Sequence, residues 1–109
     1  MREIKLKANK KLDIRSLFRT YLANNKVEEY YEKKFVEANK TIYVFAYETS
    51  YTKITFGNKT PIIIVVTTTL IATIYDNLTE LSIVESSDTK EAYSNSIFLY
   101  FKDLGFYHV

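Results

Sequence analysis

The 109-residue sequence has no cysteine, no tryptophan, two glycines, one proline and one histidine. Without cysteine there is no disulfide framework, no thiolate nucleophile and no thiolate metal site. Gly57 and Gly105 stand far apart, so no glycine-rich loop can cradle a phosphate. His108 is penultimate and has no second imidazole with which to share a metal. General-base work also needs an oriented, enclosed ring. No G-x-S-x-G elbow activates a serine. Glu48, Glu80 and Glu85 fall on extended segments, with Glu48 and Glu85 expected far apart. We therefore expect a non-enzymatic protein with no catalytic residues, no cofactor and no metal.

Long hydrophobic runs are also missing. The longest, Ile62–Val66, is far short of the roughly 20 residues of a membrane helix. No apolar segment follows the basic amino-terminal residues as it does in a secretory leader. The expected setting is cytoplasmic, without membrane contact.

What is present is β-forming. Isoleucine, threonine and tyrosine are heavily used, and β-branched and aromatic side chains suit a pleated surface. Charge is unevenly placed. Residues 1–19 carry seven basic and two acidic side chains, residues 41–109 four and seven, so a net charge of +2 conceals a basic start. Lys5, Lys7, Lys10, Lys11, Arg15 and Arg19 are the candidates for contacting nucleic-acid phosphates. The plainer reading is a solvated strand edge, where lysine discourages unwanted pairing.

Residues 2–8 alternate, with Ile4, Leu6 and Ala8 on one side and Glu3, Lys5 and Lys7 on the other. Asp13 is placed to cap a helix whose apolar positions are Ile14, Leu17, Phe18, Tyr21 and Leu22. The 3.6-residue period resumes after Asn24-Asn25 through Val27, Tyr30, Tyr31, Phe35 and Ala38. Residues 14–38 thus read as two helices or one bent helix. From Thr41 the period becomes 2. Thr41–Phe56 and Lys59–Tyr75 form long strands joined at Gly57-Asn58, and Leu78–Ser86 returns after Asp76-Asn77. Asp88 opens a last helix over 89–104, stopped by Gly105, with a strand across Ile97–Phe101 as the competitor.

The two turns set the register, so Phe45 faces Leu70, Leu70 faces Ile83, and Ala72 faces Leu81. Tyr43, Phe45, Tyr47 and Tyr51 then share a face with Ile64, Val66, Leu70, Ile74, Leu81 and Ile83. That face is core rather than a platform for stacked bases. A bulge near Glu48–Ser50 would reverse part of the aromatic stripe.

The second face is not properly polar. It carries Ile42, Val44, Ile54, Phe56, Ile63, Val65, Ile71 and Tyr75, more than a soluble monomer usually exposes in one patch. The carboxy-terminal helix covers it, or a partner does.

The expected architecture is one α+β domain over 1–109, ordered β-α(-α)-β-β-β(-β)-α, with a long twisted antiparallel sheet and helices on one face. With a fourth strand the order resembles the TATA-binding-protein-like and helix-grip arrangements in topology alone, which carries no function. The expected role is a protein-interaction module that self-associates as a dimer, or binds a protein partner, through the second face or an edge. Nucleic-acid binding by the basic segment is one alternative. A small ligand in a tyrosine-lined pocket between sheet and helices is another.

Overall fold

A computed structural model describes residues 1–53, 57, 61–87 and 96–109. The chain forms β1 (Arg2–Ala8), α1 (Ile14–Asn24), β2 (Tyr31–Val36), β3 (Thr41–Lys53), β4 (Ile62–Ile74), β5 (Thr79–Ser87), α2 (Ser96–Asp103) and β6 (Tyr107–His108). All strands join one antiparallel sheet in the order β2-β3-β4-β5-β1-β6. The fold is α+β, with both helices packed on one face.

The hairpin register agrees with the sequence. Phe45 faces Leu70 and Tyr51 faces Ile64, while Leu70 faces Ile83 and Ala72 faces Leu81. The β3–β4 ladder runs unbroken from Thr41 to Lys53, so there is no bulge at Glu48–Ser50. Tyr75 N–H donates to the Leu78 carbonyl at 2.8 Å, closing the Asp76-Asn77 turn. Gly57 has φ +85°, the left-handed backbone that a tight hairpin turn needs. Ile54, Phe56, Asn58 and Asp88 lie outside the described residues, as does residue 89, the expected start of the last helix.

The covered face holds the core. Phe18 of α1 is fully buried among Phe45, Tyr47, Tyr21 and Phe101, with ring centroids 4.9–6.0 Å apart. The Tyr100 hydroxyl donates to the Leu17 carbonyl at 2.7 Å and ties α2 to α1. Asp13 caps α1 as expected, its carboxylate accepting from Ser16 N–H. Buried Thr79 pins the β1–α1 connection, donating to the Lys10 carbonyl and accepting from Leu12 N–H.

Both helices end in a Schellman motif. Phe106 N–H returns to the Phe101 carbonyl and Val27 N–H to the Leu22 carbonyl. The left-handed residue is Gly105 (φ +101°) in one and Lys26 (φ 58°) in the other. Asn24-Asn25, the pair that interrupts the sequence pattern, directly precedes Lys26.

Two elements differ from expectation. Residues 25–38 do not continue the helix, because Tyr31–Val36 pairs with Thr41–Ala46 as an edge strand. The reason is tertiary. β3 otherwise offers a row of unpaired donors and acceptors, and the alternating YEKKFV segment satisfies them. The fourth meander strand thus comes from the supposed second helix, not from a break in β3. The other difference is β6, two residues long, on the outer side of β1.

Candidate functional site

The face opposite the helices is formed by even-numbered residues of β3 and β5 and odd-numbered residues of β1, β2 and β4. The structure brings Ile42, Val44, Ile63, Val65, Ile71 and Tyr75 together there. Val44 sits directly opposite Ile71. Ile63 is 68% exposed and Ile71 38%, while Ile42, Val44, Val65 and Tyr75 are half-buried by their neighbours on the pleat. Tyr31 and Phe35 extend the band onto edge strand β2. The carboxy-terminal helix packs on the other face, through Ile97 and Phe101, so it does not cover this one.

The basic candidates do not form one surface. Lys5 and Lys7 lie on the open face, 3.9 Å from Glu3 and Glu80 respectively. Arg15 and Arg19 project from α1 and share Glu32 of β2, with Arg19 making a two-pronged contact at 2.7 and 2.9 Å. This contact raises the Arg19 pKa. Lys10 and Lys11 are exposed in the β1–α1 connection. Four of the six are thus within reach of a carboxylate, which lowers the charge available to a polyanion.

No known protein family, curated protein or solved structure matches the chain. No helix among the described residues is long and apolar enough to cross a membrane. Its chemistry must be read from its own geometry.

The tyrosine-lined pocket has a counterpart between the sheet and the helices. Along the covered face, one row of cross-strand neighbours is Phe45, Leu70, Ile83 and Ile4, all apolar. The next row is Tyr47, Thr68, Glu85 and Arg2. The Glu85 side chain is only 3% exposed, and its Oε1 accepts from Arg2 at 2.7 Å. Above this row the Tyr21 hydroxyl bonds the Ser96 hydroxyl at 2.8 Å. A cavity of about 220 Å³ opens between them, with Asn25, Thr49 and Tyr51 at its rim.

Burial raises the Tyr47 pKa well above the ordinary phenol value, with the nearby Tyr21 and Glu85 adding to the effect. Burial also raises Tyr21, against the opposing bond to Ser96, and Glu85 adds to the rise. Both phenols are neutral at physiological pH. Glu85 is therefore the one charged side chain lining the cavity among the described residues.

Glu85 was visible in outline, since it shares parity with Leu81 and Ile83. Arg2 likewise shares parity with Ile4 and Leu6. Their meeting needed the β1–β5 pairing, which no local pattern encodes. Glu48 and Glu85 are also closer along the sheet than expected. They stand in adjacent rows on opposite faces, and so cannot act as a pair.

Proposed function

We propose that the chain is a small, non-enzymatic interaction module that self-associates as a dimer through the open face of its sheet. One observation carries this reading: a band of apolar side chains runs across that face, and both helices lie on the other. Six strands at about 4.8 Å spacing and about 3.3 Å per residue give the face an area on the order of 800 Å². A standard interface buries about as much per partner.

The charge on the face also suits a second copy. Lys5, Lys7 and Lys33 are balanced by Glu3, Glu48 and Glu80, so two copies meet without net repulsion. The ends of the hairpin point the same way. Ser50–Lys53 and Ile62–Val65 extend beyond β2 and β5 as a two-stranded ribbon, buried at Ile64 on the covered side but exposed at Ile63 on the open one. A shallow depression beside Ile71, bordered by Lys5, Lys7 and Val109, lies on the same face as exposed Ile63. A two-fold axis across the strands sets each Ile63 over the partner's depression, the self-complementary arrangement of a closed dimer.

Light scattering after size exclusion tests this. The expected mass is twice 12.8 kDa, and it should persist from about 0.1 to 1 M salt because the contact is apolar. Ile71→Lys should reduce the mass to one chain while circular dichroism keeps its wild-type form. A wild-type mass of one chain at high protein concentration would exclude the dimer. Nucleic-acid binding through the basic segment would instead show as affinity falling steeply with salt.

A further inference from the structure

The cavity under α1 carries an inference separate from the dimer face. A row built only for stability would repeat its apolar neighbour, since replacing buried ion pairs by packed apolar groups is often neutral or stabilising. Here Tyr47, Thr68 and Glu85 interrupt the covered face where a cavity of about 220 Å³ opens. At roughly 30 Å³ per non-hydrogen atom, as for liquid water, that space takes about seven such atoms.

The lining selects the chemistry. Among the described residues Glu85 is the one charged group of the lining, and it is acidic, with its Oε1 held at 2.7 Å by Arg2 from the next strand. Three tyrosines, Tyr21, Tyr47 and Tyr51, supply aromatic rings, which attract cations through their π faces. Asn25, the carboxy-terminal cap of α1, also lines the cavity. Val27, Val66 and Ile97 complete an apolar wall suited to alkyl groups.

The geometry points to a binding site for a small organic cation, a primary or methylated ammonium whose nitrogen faces Glu85 and whose carbon skeleton lies against the apolar wall.

Calorimetric titration with choline and with n-butylammonium tests the proposal, using 3,3-dimethylbutanol and n-butanol as their neutral isosteres. At least one cation should bind saturably in one-to-one ratio, at least about tenfold more tightly than its isostere, and shift the NMR signals of Tyr47 and Ile97. Glu85→Gln should weaken it by about tenfold or more, the scale of a lost buried charge contact. Should that variant fail to fold, Tyr51→Leu at the exposed rim carries the test, with a two- to fivefold weakening expected, about the worth of one exposed cation–π contact. No saturable binding of either cation, equal affinity for the neutral isosteres, or unchanged affinity in whichever variant folds would overturn the proposal. Repeating the titration with the monomeric Ile71→Lys variant keeps this outcome distinct from that of the dimer, because Ile71 lies on the opposite face.

Discussion

The two faces of the sheet are made by the same strands, with isoleucine, valine and tyrosine on both. On the covered face, Phe45, Leu70 and Ile83 are fully buried under α1 and α2. On the open face their strand neighbours Val44, Ile71 and Val84 stay half-buried or exposed. The difference lies in what is placed above. Phe18, Tyr21, Leu22, Ile97 and Phe101 all project onto one side, and the helices carry one apolar stripe each. Apolar content alone does not define a core. A face becomes core when another layer removes it from water, and the residues left over become the surface that favours association.

The contrast can be broken most forcefully from the covered side. Phe45→Ala should cost about 3–5 kcal/mol in urea unfolding, through lost transfer energy and a cavity beside Phe18. A loss below about 1 kcal/mol would mean the two faces are energetically alike.

The polar row gives the next effect, and its sign follows from the raised phenol pKa values. Tyr47 and Tyr21 favour their neutral forms in the folded chain, chiefly because burial penalises the phenolate. Their contribution is fully present below the unfolded value near 10, and is lost as pH rises above it. The urea midpoint should hold up to about pH 9.5 and then fall. Tyr47→Phe should make that fall shallower, and an unchanged slope would count against the burial of Tyr47.

A smaller change concerns how the helices are held over the covered face. Gly105 adopts its left-handed backbone without steric cost, whereas Lys26 does not. Lys26→Gly should therefore raise stability by about 1 kcal/mol, measured by the same unfolding assay.

The smallest effect on the fold is expected on the open face. Ile71→Thr should change the stability of the single chain by no more than about 0.5 kcal/mol. The same substitution should weaken self-association, read from the concentration dependence of the scattering mass. The unfolding measurement belongs at low concentration, where association does not add to apparent stability. A loss as large as that of Phe45→Ala would make this face core as well.

Much of this contrast is legible in the sequence. Gly57-Asn58 and Asp76-Asn77 read as short turns in the sequence, and a turn of given length between alternating segments leaves one register. That is why Phe45, Leu70 and Ile83 could be aligned from the sequence, and why Ile42, Val44, Ile63, Val65 and Ile71 could be collected on a second face. The Asp13 cap and the apolar positions of α1 were legible for the same reason, being local.

Residues 31–36 were not legible. Tyr31 and Phe35 are four apart and fit a helix, while Tyr31, Lys33 and Phe35 also fit a strand, so the segment satisfies both periods. The open edge of β3 decides between them. β6 is two residues long, too short for any period, and exists because β1 has a free side. In the candidate cavity, Tyr47, Thr68 and Glu85 follow from parity and turn register, but Arg2 joins them only through a pairing 83 residues apart.

By itself the sequence determined which side chains share a face, because alternation along a strand and the reach of a short turn are properties of neighbouring residues. The tertiary structure alone decided which strands became neighbours, that both helices took the same side, and that a charged pair closed beneath a cavity. Those outcomes depend on contacts between distant segments competing for the same unpaired edges and the same apolar surface, and no local pattern records the result of that competition.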